Sequence, residues 1–133
     1  MIKLLIGGKG SGKTKTLIEL ANKAVEESKG SVVCVEKGDA LRLNVTSRAR
    51  LISAEDYAIC GADAFYGFIA GILSSNYDIT DLFIDSSMKL CCGDAAAFVT
   101  FVEKLEKITA DVNVVISASI PQEECPDAVK KFI

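Results

Sequence analysis

The fold is decided by the segment Ile2–Ser28, which reads IKLLIGGKGSGKTKTLIELANKAVEES. Its first five residues, Ile2–Ile6, are apolar apart from one lysine and predict a buried β-strand. A glycine-rich stretch follows, and from Lys15 to Ser28 the apolar residues recur at the spacing of an amphipathic helix. The segment therefore predicts a strand, a glycine-rich loop and a helix in direct succession.

The loop between this strand and helix matches G-x-x-x-x-G-K-[ST], the pattern of a phosphate-binding loop. The matching residues are Gly7, Gly8, Lys9, Gly10, Ser11, Gly12, Lys13 and Thr14. We expect the four glycines to adopt backbone angles that a Cβ would forbid, so that successive N–H groups converge on one anion. The helix adds unpaired N–H groups and the positive end of its dipole. Lys13 is expected to reach the β and γ phosphates and Thr14 to ligate Mg²⁺, while Lys9 and Lys15 add positive charge.

Strands and helices alternate along the rest of the chain. The predicted strands are Ile2–Ile6, Ser31–Glu36, Ala49–Ile52, Asp81–Asp85 and Val112–Ser119. The predicted helices are Lys15–Ser28, Ala62–Ser75 and Asp94–Ile108, with short helical turns at Asp39–Leu43, after an N-cap pattern at Ser53–Asp56, and from Pro126. This order predicts an α/β three-layer sandwich with a mostly parallel sheet, in a single domain covering residues 1–133. Within the second helix, Gly67 and Gly71 are either a packing notch or a local weakness, and close packing of helix on sheet is the favoured interpretation.

A second acidic position follows the apolar strand that contains Leu82, Phe83 and Ile84. Asp85 ends that strand, and a carboxylate there is expected to orient water on a Mg²⁺ ion that bridges the β and γ phosphates. The next residue is Ser86, where many hydrolysing enzymes of this type have a glutamate that activates water. Either hydrolysis is slow or another carboxylate acts as the base.

Two other strand ends supply candidate residues. Glu36 ends the second strand and is the best substitute base, with Asp39 second, because ligands gather at the carboxyl edge of a parallel sheet. A solvated carboxylate with no role is an equal alternative for Glu36. Ser117, on the last strand, is a candidate to sense the γ-phosphate or hold the water. Ser119 is interpreted as a small packing residue.

Residues 1–120 resemble a compact P-loop NTPase core of the additional-strand type, as in RecA-like and AAA-type ATPases. The resemblance rests on the Gly7–Thr14 loop, on Asp85 and on Ser117, and it implies that the Ser117 strand lies between the other two. The whole chain is also similar to small bacterial ATP-binding proteins, some of which have labels borrowed from twitching-motility ATPases. A secretion ATPase needs an additional N-terminal domain and histidine motifs, and this chain has no histidine.

Composition limits the remaining classes of function. The formal net charge is −3, which argues against a general nucleic-acid binder. The five cysteines, odd in number and without a C-x-x-C pair, predict buried, reduced thiols rather than a zinc site. No signal peptide opens the chain and no apolar run is long enough to span a membrane, so a cytoplasmic location is expected. A protein partner and oligomerisation stay open.

The sequence therefore predicts a protein that binds Mg²⁺ and a nucleotide, with ATP as the default because the guanine-specific N-K-x-D motif is absent. Four roles remain open. The first is a slow ATPase or nucleotide-dependent switch, with Lys13, Glu36 and Ser117 as candidate catalytic residues. The second is a regulatory protein that does not hydrolyse. The others are a small-molecule or nucleotide kinase, for which three arginines are thin support, and a structural domain with a vestigial loop.

Overall fold

A computed structural model describes all of residues 1–133. Five strands form one sheet: β1 (Ile2–Ile6), β2 (Ser31–Glu36), β3 (Arg50–Ser53), β4 (Ile79–Ile84) and β5 (Asn113–Ala118). Four helices connect them: α1 (Lys13–Glu27), α2 (Ala62–Ser75), α3 (Ser87–Leu90) and α4 (Ala95–Glu106). Short 3₁₀ turns occupy Ala40–Leu43, Ala54–Tyr57, Gln122–Glu124 and Asp127–Phe132.

All five strands are parallel, in the order β1-β5-β4-β2-β3. The predicted α/β architecture is thus confirmed, with an all-parallel sheet where a mostly parallel one was expected. The strand that contains Ser117, β5, lies between β1 and β4, as the resemblance implied. Because every strand points the same way, the residues that follow β1, β2, β4 and β5 all lie at one edge of the sheet.

Helices cover both faces of the sheet and make a three-layer sandwich. One face packs against α1, whose Leu17 and Ala21 lie in a cluster with Cys34 and Phe83. The larger cluster on the other face includes Phe65 of α2 together with core residues of α4. Buried residues therefore alternate between the two faces along a strand, which explains why β2 and β4 are apolar almost throughout.

Element boundaries differ from the predicted ones by one or two residues at most places. Helix α1 begins at Lys13, two residues earlier than expected, because Gly12 is its N-cap. Asp94 caps α4 as predicted, since its carboxylate accepts from the Ala97 N–H at 3.1 Å. Ser53 occupies the N-cap position of the 3₁₀ turn Ala54–Tyr57 as predicted, but its side chain does not cap the turn, because the hydroxyl donates to the Lys37 carbonyl at 3.1 Å. None of the helices is long and apolar enough to cross a membrane.

The expectation of close packing at Gly67 and Gly71 is also wrong. Both glycines lie on the exposed side of α2, and a Cβ added at either one would have no neighbour within 4 Å. Neither position therefore needs a glycine for space, and both weaken the helix through backbone entropy.

Replacing either Gly67 or Gly71 by alanine is therefore expected to raise the free energy of unfolding, by about 0.5–1 kcal/mol each. Urea denaturation of the single variants measures this. Gly61→Ala is the matched control, because the backbone there has φ 90° and an added Cβ is strained. That variant should be less stable than the wild type, and loss of stability at positions 67 or 71 would show a packing role.

Candidate functional site

The register of the sheet brings the predicted site residues to one edge. Ile6 pairs with Ala118 and Ile84 with Ile116, so the glycine-rich loop, Asp85 and Ser117 emerge side by side. The loop is fixed to this edge at its start, where the Gly7 N–H donates to the Ile120 carbonyl at 2.9 Å.

Most backbone N–H groups of the loop and first helical turn have no partner within the protein. Between residues 7 and 15, only Gly7 and Ser11 donate a backbone hydrogen bond, the latter to the Gly8 carbonyl at 3.2 Å. The first intrahelical donor is Thr16, which bonds to the Gly12 carbonyl at 3.0 Å. A group of unpaired N–H donors at the N-terminus of a 15-residue helix is suited to an anion with several acceptor oxygens.

Three glycines of the loop have a positive φ that disfavours any side chain. Gly7 has φ 148°, and a Cβ there would lie 2.5 Å from Ser11 Oγ. Gly12 has φ 87° where the loop turns into α1. The expectation fails for Gly8, which is not in the positive-φ region and has open space around it. Gly10, in contrast, has φ 83° as expected.

Lys13 folds back over the loop. Its Nζ donates to the Gly8 carbonyl at 3.0 Å and lies 3.4 Å from Ser11 Oγ. Both contacts lie near the surface, so exchanging them for phosphate oxygens costs little free energy. Lys9 and Lys15 are exposed on either side of the loop.

Thr14 lies in the first turn of α1, and its side chain is next to that of Asp85, which follows β4. The Thr14 hydroxyl lies 3.4 Å from both carboxylate oxygens of Asp85, which is almost fully buried. The backbone of Asp85 is held by its N–H, which donates to the Val35 carbonyl at 2.9 Å. A hydroxyl and a carboxylate are hard oxygen ligands of the type that Mg²⁺ takes.

Ser117 is buried beside Asp85 and acts as its anchor. Its hydroxyl donates to Asp85 Oδ1 and accepts from the Ser86 N–H at 3.1 Å. The carbonyl of Ser117 accepts from the hydroxyl of Ser87 at 2.6 Å. Ser86 adopts the left-handed conformation, with φ 60°. Ser117 therefore positions the carboxylate, and its direct contact with a phosphate stays a prediction.

Ser117→Ala is expected to lower the free energy of unfolding by about 1–3 kcal/mol, because the Ser86 N–H and Asp85 Oδ1 both lose a buried partner. Chemical denaturation measures this. Ser119→Ala is the matched control: Ser119 lies two residues further on and is exposed, so its loss should change stability by less than about 0.5 kcal/mol. Equal effects at the two serines would contradict the anchoring role.

Glu36 lies at the same edge, and each of its two carboxylate oxygens accepts a hydrogen bond from the backbone. They accept from the backbone N–H groups of Ala40 and Leu41, each at 2.9 Å, and so fix the 3₁₀ turn that follows β2. Burial raises the pKa of the Glu36 carboxyl, the N–H groups of Leu41 and Ala40 lower it, and the charges of Asp85 and Asp39 raise it further. The geometry gives Glu36 a structural role, and its role as a base stays a prediction.

The raised pKa of Glu36 predicts a specific pH dependence. The folded state holds the proton more tightly than the unfolded chain, so this contribution to stability is complete below pH 4.5 and is lost as pH rises through the folded-state pKa. The difference in unfolding free energy between wild type and Glu36→Gln should therefore fall as pH rises from 4 to 8. Urea titrations across that range measure it, and a rising difference would show that the pKa is lowered instead.

Two of the three arginines pair with carboxylates, and three of the five cysteines are buried. Arg42 pairs with Asp39 at 2.7 Å and Arg48 pairs with Glu26, both on the surface. Cys34, Cys91 and Cys125 are buried as expected, whereas Cys60 and Cys92 are exposed, so the prediction of buried thiols is wrong for that pair.

Sequence reasoning missed the parts of the site that depend on side-chain direction. Nothing in the sequence marked Ser87, which is fully buried and bonded to Ser117. No group of three or more His, Cys, Asp or Glu side chains converges as a metal site.

No protein-family model matches the chain, and no curated protein matches it closely enough to indicate kinship. Any function is therefore inferred from the residues of the chain and their arrangement.

Proposed function

We propose that this protein binds a nucleoside triphosphate, with its phosphates held by the loop from Gly7 to Thr14. The supporting observation is the group of unpaired backbone N–H donors between residues 8 and 15 at the start of α1. The first turn of any helix leaves such donors unpaired, and here the unpaired N–H groups of Gly8, Lys9 and Gly10 and the ammonium group of Lys13 add further donors beside them. The Lys13 ammonium group, which now donates to the Gly8 carbonyl, supplies the positive charge that contacts the terminal phosphates.

Magnesium fits the same proposal. Thr14 and Asp85 supply two oxygen ligands, and Mg²⁺ is usually held by few protein groups, with phosphate oxygens and water completing its shell. That preference explains why no cluster of three acidic side chains is needed. When bound, the ion neutralises charge on the phosphates. Ser117 keeps the Asp85 carboxylate in place for it.

The residues favour a nucleotide-dependent switch or a slow ATPase over a fast enzyme. Ser86 occupies the position of the usual glutamate, and its N–H is held by Ser117. Glu36, the candidate base, already accepts two backbone hydrogen bonds. Asp39, the second candidate, is exposed and pairs with Arg42. Neither carboxylate takes the place of a glutamate directly after Asp85, and this supports slow turnover.

A kinase is less well supported. Kinases of small molecules cover the phosphates with arginines on a mobile lid. Here Arg42 and Arg48 are each paired with a surface carboxylate. ATP remains the default nucleotide, and the comparison with GTP belongs in the first experiment.

Binding and turnover should be measured on the same sample. Fluorescent ATP and GTP analogues report binding in the presence of Mg²⁺, and a coupled assay reports phosphate release. Saturable binding with turnover below about one per minute supports the switch or slow ATPase; this corresponds to a barrier above about 20 kcal/mol. Rapid turnover would contradict the inference that hydrolysis is slow because Ser86 replaces the usual glutamate. Absence of binding at millimolar nucleotide would contradict the whole proposal.

A further inference from the structure

Two exposed cysteines lie next to each other although they are far apart in the sequence. The Sγ atoms of Cys60 and Cys92 are 3.7 Å apart, and both are free thiols. The other three cysteines of the chain are buried. Cys60 precedes α2 and Cys92 follows α3, so the fold alone brings the pair together.

The backbone around the two cysteines differs. Cys92 lies in a turn, where its N–H donates to the Lys89 carbonyl at 3.1 Å. Cys60 follows a turn, in which the Ile59 N–H donates to the Ala54 carbonyl at 3.1 Å, and it makes no backbone hydrogen bond of its own. A disulfide requires the sulfurs to approach by about 1.6 Å.

Small reagents can reach Cys92 through a cleft of about 540 Å³. Its charged lining residues are Lys37, Lys89 and Glu124, so positive charge is in excess and favours anionic thiol reagents. The hydrogen bond with Cys92 and the charge of that neighbour raise the pKa of Cys60, while Lys37 opposes this.

We propose that Cys60 and Cys92 form a reversible intramolecular disulfide, with a small disulfide such as oxidised glutathione as the oxidant. One thiol loses its proton and attacks the oxidant, forming a mixed disulfide and releasing one reduced glutathione. The other thiol then loses its proton and attacks the protein sulfur of the mixed disulfide, which releases the second glutathione. The two cysteines lose two electrons and two protons in total, and one oxidised glutathione becomes two reduced molecules.

The bond links the connection between β3 and α2 to the connection between α3 and α4. Helix α3 directly follows the Asp85–Ser86 segment, so oxidation restrains the chain that leaves the candidate site. Closing this loop of about 30 residues should raise the melting temperature of the oxidised protein by roughly 5–10 °C. The disulfide does not depend on nucleotide binding and is tested without it.

The test is a titration of the reduced protein with glutathione mixtures of increasing oxidised fraction. Free thiols are counted by mass spectrometry after alkylation in denaturant, and the linked peptides are identified. The expected result is a fall from five thiols to three, with Cys60 linked to Cys92 and recovery in dithiothreitol. Cys125→Ser, at a buried site, should retain the disulfide, whereas Cys60→Ser and Cys92→Ser should lose it. Five remaining thiols, separate glutathione adducts or disulfide-linked dimers would each overturn the proposal.

Discussion

Lys13→Ala should reduce the affinity for Mg-ATP by about 30- to 1000-fold, since losing a charged contact with the phosphates costs roughly 2–4 kcal/mol. Lys13 Nζ makes only two contacts near the surface, to Gly8 and Ser11, and no buried ion pair. Removing the side chain should therefore leave the fold intact, and the melting temperature should be nearly unchanged. Isothermal calorimetry on both proteins measures the affinity change.

Two further lysines make this test specific. Lys9→Ala and Lys15→Ala remove the same charge from the same neighbourhood, but both side chains are exposed and make no hydrogen bond. Each control should weaken Mg-ATP binding by less than about fivefold, as expected for a screened surface charge. Equal losses in all three variants would mean that the loop attracts anions through net charge only.

The second large effect is expected for Asp85→Asn, which should remove the dependence of ATP affinity on magnesium. In the wild type, Mg²⁺ should strengthen ATP binding by about tenfold or more, because the ion links the phosphates to Thr14 and Asp85. The amide keeps the shape of the carboxylate and one acceptor for the Ser117 hydroxyl. ATP titrations with Mg²⁺ and with EDTA give the ratio of affinities, which should fall towards one in the variant.

Asp81→Asn is the matched control, because it makes the same change on the same strand. Asp81 lies near the opposite end of β4, where its carboxylate accepts from the Thr80 hydroxyl at 2.7 Å. Its magnesium dependence should equal that of the wild type. If Asp85→Asn kept a tenfold magnesium effect, the ion would be bound elsewhere.

The local order of the fold could be predicted because its signals are local. Apolar strands ending in Glu36 and Asp85, and a glycine-rich loop before an amphipathic helix, determine secondary structure over a few residues. Once the strands are parallel, geometry alone places their carboxyl ends together. The order of the strands does not follow from this, and the position of β5 between β1 and β4 was implied by the resemblance to P-loop NTPase cores.

The remaining features depend on side-chain direction and on distant contacts. Gly67 and Gly71 face solvent because the periodic apolar residues, not the glycines, determine which side of α2 is buried. Ser117 anchors Asp85 because its side chain points along the sheet edge, which sequence spacing does not specify. Cys60 and Cys92 meet only after two connections have folded.

Nucleotide binding itself is tested most directly by a calorimetric titration of the wild-type protein with Mg-ATP. The unpaired N–H groups between residues 8 and 15, together with Lys13, Thr14 and Asp85, predict saturable binding at one site per chain. Lys13→Ala, titrated in parallel, should bind Mg-ATP about 30- to 1000-fold more weakly. No saturable heat for the wild type up to several millimolar Mg-ATP would contradict the account.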